Sequence, residues 1–205
     1  MNIASIIPAA GLSSRMGAFK PLLPVGGRPA ILRCINAAEA AGVRDVAVVT
    51  GYNGEELESV LSMEAPGAII VRNPRYAEEM LLSVFAGVSA LPGDVDGFFL
   101  QPADCCAVCA ETLAALIRAF EEADATSVVY PAYRGERGHP PLIPAKHIGA
   151  ITSRAGNARD DCGLRGILSS LPFAETEVGD SGVLMDMDSP GDYEAMVEHV
   201  MKRSL

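Results

Sequence analysis

The sequence predicts an α/β fold, a three-layer α/β/α domain with a mostly parallel sheet and a small antiparallel addition. Three observations carry this expectation. Short β-branched or aromatic runs alternate with segments of helical periodicity through the first two-thirds of the chain; the first apolar run ends in a loop rich in glycine and serine; and residues 126–144 break into short extended pieces.

Residues 3–7 form an apolar run ended by Pro8, which reads as a buried strand. A helix is expected over 31–41, before Gly42, and a strand over 45–50 (Asp-Val-Ala-Val-Val-Thr). A helix over 55–61, a strand over 68–71, and a helix over 81–91 ended by Pro92-Gly93 continue the alternation, followed by a strand over 97–100. Leu113, Leu116, Ile117 and Phe120 make an i, i+3, i+4, i+7 stripe, so this helix packs its apolar face on a sheet. In 126–144, Gly135, Gly138, Pro140, Pro141 and Pro144 favour antiparallel pieces over another right-handed crossover. A helix over 193–201 closes the series, and no linker divides residues 1–205 into separate cores, so one domain is expected.

With 205 residues and 49% hydrophobic content, the chain can bury a sizeable core. Its net charge of −10 opposes a nucleic-acid backbone or an anionic membrane surface, so neither is an expected partner. No uncharged stretch has the ~18 residues of a spanning helix, and no basic segment leads a long apolar run at the start; a soluble, cytoplasmic protein is expected. Five cysteines, an odd number in a chain of this size, read as reduced thiols. Cys106-x-x-Cys109 lacks a second pair of the same spacing, which favours ordinary thiols over a soft metal site.

Charge is unevenly placed. Residues 1–38 hold Arg15, Lys20, Arg28 and Arg33 but no Asp or Glu, which points to a local anionic ligand. Arg28 and Arg33 read as a solvated face. Arg15 and Lys20 lie in the loop Ala9-Ala10-Gly11-Leu12-Ser13-Ser14-Arg15-Met16-Gly17-Ala18-Phe19-Lys20-Pro21. It is neither Gly-x-Gly-x-x-Gly nor a loop ending in Gly-Lys-Ser/Thr. It still has the parts of a phosphate cradle. Gly11 and Gly17 admit a close backbone, Ser13 and Ser14 donate hydrogen bonds, and Arg15 and Lys20 neutralise charge, so a nucleoside triphosphate fits. Further on, Phe98-Phe99-Leu100-Gln101-Pro102-Ala103-Asp104 reads as a strand whose end carries a carboxylate, a candidate Mg²⁺ ligand; a helix cap or loop Asp is the structural alternative.

The loop resembles the signature of the MobA-like nucleotidyltransferases, which include molybdopterin cytidylyltransferases and guanylyltransferases, and looser similarity runs to the C-terminus. The resemblance implies the Rossmann-like, GT-A-like nucleotidyltransferase fold. It implies nucleotide contacts at Ala9, Ala10, Gly11, Ser13, Ser14, Arg15, Gly17 and Lys20, with the base at the backbone of 9–11. Asn73-Pro74, Met80, Ser83 and Gly87 are similar to a family segment near the nucleotide, with Glu79 and Val84 where the family has glycine and leucine. Asn73 and Ser83 thus join the nucleotide candidates; a turn residue and a helix-face hydroxyl are their alternatives.

Asp104 matches the family's strand-terminal Asp, here followed by Cys105 and Cys106. Met185-Asp186-Met187-Asp188-Ser189-Pro190-Gly191-Asp192-Tyr193 resembles the family's Asp-x-Asp-Thr-Pro-Glu-Asp-Tyr segment. Asp186 and Asp188 on one side of a strand offer one further Mg²⁺ ligand beside Asp104, the other capping the helix near Pro190. Arg137-Gly138-His139-Pro140-Pro141-Leu142-Ile143 and Asp161-Cys162-Gly163-Leu164-Arg165 resemble family segments that wall the acceptor pocket, with Asp160 in place of a glycine; His139 and Arg165 are the acceptor-side candidates. Their alternatives are a turn histidine and a salt bridge to Asp160 or Asp161.

The implied reaction transfers a nucleoside monophosphate from an NTP to a phosphate monoester, with molybdopterin the leading acceptor, releasing pyrophosphate with Mg²⁺. Arg15, Lys20 and Asp104 are the catalytic candidates. The Ala9-Ala10-Gly11 opening and the Leu22-Leu23-Pro24 sequel resemble the cytidylyltransferases more than the guanylyltransferases, which implies CTP over GTP, and a molybdoenzyme or chaperone is a candidate partner. A sugar-phosphate or alcohol-phosphate nucleotidyltransferase, or a catalytically silent nucleotide-binding protein, stand as alternatives.

Overall fold

A computed structural model describes residues 1–154 and 163–203. In chain order the elements are β1 (Ile3–Pro8), β2 (Pro24–Val25), β3 (Arg28–Pro29), α1 (Ala30–Ala40), β4 (Asp45–Thr50), α2 (Gly54–Glu64), β5 (Ile69–Arg72), α3 (Met80–Ser89) and β6 (Gly97–Leu100). Then follow α4 (Ala110–Glu122), β7 (Val128–Tyr133), β8 (Glu136–Arg137), β9 (Leu142–Pro144), α5 (Ile148–Arg154), α6 (Gly163–Ser169), β10 (Phe173–Glu177) and α7 (Pro190–Arg203).

The main sheet has the order β10-β7-β9-β6-β1-β4-β5, with β8 paired to β7. β1 runs parallel to both β4 and β6, as β4 does to β5 and β10 to β7. β9 runs against β6 and β7. The antiparallel part expected in 126–144 is therefore found, but β9 is threaded into the middle of the sheet. A separate two-stranded antiparallel ribbon pairs β2 with β3.

Every residue of β1 is buried, as a central parallel strand requires. Side chains alternate between two cores. Ile3, Ile7, Val48 and Phe99 join the core under α1, α2, α4 and α7, whereas Ala4, Ile6, Val49, Phe98 and Leu100 join the one under α3, α5 and α6. Phe98 and Phe99 are both fully buried, each contributing about 1.5–3 kcal/mol of transfer free energy. The predicted α4 stripe faces inward, with Leu113, Leu116 and Phe120 buried.

The strands over 45–50 and 97–100 are present with those bounds, and the five predicted helices are present with ends displaced by a few residues. α5, α6 and β10 had no sequence counterpart. β10 has four exposed residues of five, so it shows no apolar run, and α5 and α6 are seven residues each. None of the described helices is long and apolar enough to cross a membrane.

Candidate active site

The loop after β1 leaves the sheet in two steps. The Ala9 amide donates to Val49 O at 2.9 Å and the Tyr52 amide to Ala10 O at 3.2 Å, so both alanines still belong to the sheet edge. Ser13 then takes a left-handed conformation (φ 51°), and its Oγ accepts from the Lys20 amide at 3.2 Å. This closes the loop and starts the single helical turn Lys20–Leu22 directly behind it. The Lys20 side chain is thereby directed inward and is 13% exposed, whereas Arg15 at the loop's rim is 76% exposed.

Asp104 stands four residues beyond β6 in a turn, not at the strand's last position. The sheet bonding continues past the strand, from the Gln101 amide to Ile6 O at 3.0 Å and the Ala103 amide to Pro8 O at 3.2 Å, before the chain turns. Gln101, fully buried, braces that turn by donating from Nε2 to Cys105 O at 3.3 Å.

Asp186 and Asp188 do not lie on a strand. They follow the helical turn Ser181–Leu184 in an irregular segment, so their common strand face is corrected. Neither caps α7; Ser189 and Asp192 do, with the Ser189 amide and hydroxyl both donating to Asp192 Oδ2 at 2.7 Å and the Asp192 amide donating back to Ser189 Oγ at 3.3 Å.

What brings this segment to the site is packing around two glycines. A Cβ on Gly138 would lie 2.3 Å from Val183 O, and one on Gly182 would lie 2.6 Å from Ala107 O, so the 181–184 turn is clamped between the β8–β9 connection and the Asp104 loop. Asp180 locks it. Its carboxylate, 3% exposed, accepts from the Cys109 and Gly182 amides at 3.0 Å, from Thr112 Oγ1 at 2.9 Å and from Arg203 at 2.5 Å. Burial alone would raise its pKa, but the Cys109 and Thr112 bonds and the Arg203 charge outweigh this and hold it below the usual range. Sequence reasoning missed Asp180, whose Cys109, Thr112 and Arg203 partners are distant in sequence, and the bracing part of Gln101, which shows only in its burial.

Three distant segments thus converge on Lys20. Its Nζ lies 2.8 Å from Asp188 Oδ1 and 3.3 Å from Asp104 Oδ2, and Arg15 Nη1 lies 2.5 Å from Asp188 Oδ2. Burial works to lower the Lys20 pKa, yet the two carboxylates prevail and raise it, so the ammonium stays charged. The Lys20 bond in turn lowers Asp188. Asp186 is pushed up by burial and by the charges of Asp188, Asp104 and Asp192.

A cavity of about 290 Å³ is lined by Ala9, Gly11, Ser13, Ser14, Arg15, Lys20, Asp104 and Asp188. Most of the predicted nucleotide candidates are therefore on one wall. Ala10 and Gly17 are not among its lining residues; Gly17 is exposed on the outer bend of the loop (φ +67°). Asn73 and Ser83 are also away from it. Both are buried, Asn73 Nδ2 donates to Ser83 Oγ at 3.0 Å, and Asn73 Oδ1 accepts from the Arg75 amide at 2.9 Å. Their side chains brace the loop before α3.

A second cavity of about 410 Å³ adjoins the first through Pro8, Met80 and Pro102, and His139 and Arg165 line it together. Burial lowers the His139 pKa, opposed by the charges of Asp104 and Asp186. Residues 160–162 of the expected acceptor wall lie outside the described residues.

Among the described residues, no three His, Cys, Asp or Glu side chains are already gathered around a metal position. The donor chemistry nevertheless fits a hard cation. Asp104 and Asp188 present carboxylate oxygens to one shared ammonium, and the repulsion felt by Asp186 is of the kind a divalent cation relieves. The described cysteines are free, and burial pushes the Cys34 and Cys105 thiols well up and Cys106 to about 11, as for inert core thiols.

Comparison with known proteins agrees with this geometry. The chain is 28% identical over 191 residues to the molybdenum cofactor cytidylyltransferase of Escherichia coli (strain K12), covering 93% of each. It superimposes on a nucleotidyl transferase from Methanothermobacter thermautotroptrophicus with a TM-score of 0.80, at 24% identity over 98% of both chains. A manganese complex of Rv0371C from Mycobacterium tuberculosis H37Rv superimposes with a TM-score of 0.75, at 22% identity over 97% of this chain and 99% of that one. The model of the MobA-like NTP transferase domain matches residues 5–176, from β1 into β10, and the chain accordingly belongs to that family and is a nucleotidyltransferase.

Proposed function

We propose that the protein transfers CMP from CTP to the phosphate of molybdopterin, releasing pyrophosphate. The observation that carries this reading is the position of Lys20 Nζ, held between Asp104 and Asp188 in the glycine- and serine-lined cavity, which adjoins the acceptor-side cavity through Pro8, Met80 and Pro102. An oxygen of the acceptor phosphate forms a bond to the α-phosphorus of the nucleotide, and the bond from that phosphorus to the bridging oxygen breaks. The nucleophile is already an anion, so no side chain need remove a proton from it.

Lys20 and Arg15 would bind the triphosphate and stabilise negative charge on the leaving pyrophosphate. Asp104 and Asp188, with Asp186 beside them, would hold Mg²⁺, which when bound supplies charge neutralisation on the phosphates. Arg165 and His139 would orient the acceptor phosphate, Arg165 by paired N–H donors. The backbone of residues 9–11 would read the base.

The preference for CTP is supported by the cytidylyltransferase relative and by the Ala9-Ala10-Gly11 opening, and a divalent cation by the manganese-bound structural neighbour. Residues 1–205 act as one domain in this reading, in the cytoplasm, with a molybdoenzyme or its chaperone receiving the product. Pyrophosphate release measured over a matrix of the four NTPs and several phosphate acceptors, with and without Mg²⁺, tests it. Release that requires CTP, molybdopterin and Mg²⁺ together supports the proposal; equal turnover of CTP and GTP, or of a sugar phosphate and molybdopterin, contradicts it.

A further inference from the structure

The acceptor-side cavity has a wall that phosphate binding does not explain. Arg137, in β8, holds its guanidinium carbon 4.6 Å from the centre of the Tyr130 ring and 4.0 Å from that of Phe173. The two rings meet edge to face at 6.3 Å. Arg137 Nε and Nη2 both reach Glu175 Oε1, at 2.8 and 2.6 Å. Two rings and a carboxylate thus fix the plane of one cation. Both partners of the ion pair are 39% exposed, and such a pair adds little stability, so its effect is orientation rather than holding the fold.

Tyr130 and Arg137 line the cavity beside Val84, Leu100, Leu164 and Leu168. The aliphatic side chains suit the apolar faces of a ring. The guanidinium offers only donors, and Glu175 leaves both N–H groups of Nη1 for a ligand. A flat ring with carbonyl or ring-nitrogen acceptors along one edge meets both conditions. A sugar would place hydroxyls against the leucines and lose their bonds to water.

We infer that Arg137, set in plane by Tyr130, Phe173 and Glu175, is a specificity-determining residue that reads the acceptor-rich edge of a flat heteroaromatic body on the phosphate acceptor. The inference rests on the reading of this cavity as the acceptor site, and it adds a recognition element separate from the phosphate, which Arg165 and His139 take.

Calorimetric titration of the full chain, carrying Mg²⁺ and a non-hydrolysable α,β-methylene analogue of CTP, tests it without turnover. The probes are pyridoxine 5′-phosphate, glucose 1-phosphate and inorganic phosphate. Wild type is expected to bind the flat phosphate about tenfold or more tighter than the other two. Arg137→Lys keeps the charge but not the flat donor edge and should lose that preference, while its affinity for inorganic phosphate and the CTP analogue changes less than about twofold. Glu175→Gln, which frees the guanidinium, should lose part of the preference. Glucose 1-phosphate binding as tightly as pyridoxine 5′-phosphate, or an undiminished preference in Arg137→Lys, overturns the inference. Failure of the CTP analogue to bind while the flat-ring preference persists would instead refute the nucleotide-transfer reading and leave the role of Arg137 standing.

Discussion

Lys20 Nζ lies 2.8 Å from Asp188 Oδ1, a contact across 168 positions that ties the loop after β1 to the segment before α7. Because the same ammonium also reaches Asp104, one side chain links the three segments around the cavity.

Replacing that side chain tests its chemistry apart from its structural part. Lys20→Ala should lower kcat/KM for pyrophosphate release by about 100- to 1,000-fold, the usual effect of losing one positioned charge donor at a transferring group. The circular dichroism spectrum should not change, because the ion pairs lost are partly solvated. Wild-type turnover in this variant would remove Lys20 from the reaction.

Gly138 determines where Asp188 stands, through the 181–184 turn. Gly138→Ala puts a methyl group against Val183 backbone and should cost about 1–3 kcal/mol in denaturant unfolding, together with a fall in kcat. Gly149→Ala in α5, where nothing lies within 4 Å of the added Cβ, should leave kcat unchanged. Equal kinetics in the two variants would show that the turn does not position the carboxylate.

The buried Asp180 predicts a dependence of stability on pH. Its folded pKa is lowered, so its contribution is fully present above the unfolded value near ~4 and disappears as pH falls through the folded value. Asp180→Asn should destabilise by about 3 kcal/mol, a Tm loss of roughly 6–12 °C for a chain of this size. Measured against pH, the gap to wild type should be constant above about pH 5 and narrow below about pH 4. A gap that widens on acidification would contradict the assignment.

Asn73 offers a contrast between bracing and binding. Since its amide is engaged by Ser83 and the Arg75 backbone, Asn73→Ala should cost about 1–3 kcal/mol through unpaired buried partners. KM for CTP should change far less than in Lys20→Ala. A large KM effect without loss of stability would return Asn73 to the nucleotide site.

Several of these features were legible in the sequence for definite physical reasons. β1 and its loop announced themselves because an acid-free, cation-bearing stretch stands out in a chain of net charge −10. The β4 and β6 runs were readable because strands buried on both faces are apolar throughout. Asp104 and Asp188 could be matched to a family motif, but their shared contact with Lys20 spans 84 and 168 positions and has no local signal. The strand expected at Asp186 and Asp188 is an irregular segment, which follows the helical turn Ser181–Leu184 that Asp180 caps by accepting the Gly182 amide. Arg137 could be placed on the acceptor-side segment, but its partners could not, since its rings and its carboxylate come from β7 and β10, and β10 is too exposed to read as a strand.

Whether the carboxylates around Lys20 act on a nucleotide through a divalent cation is decided by calorimetric titration of CTP into wild type and Asp104→Asn, with and without Mg²⁺. Mg²⁺ should tighten CTP binding to wild type by about tenfold or more, and Asp104→Asn, still folded, should lose this gain. Equal CTP affinity in wild type with and without Mg²⁺, or an undiminished Mg²⁺ effect in Asp104→Asn, would contradict it.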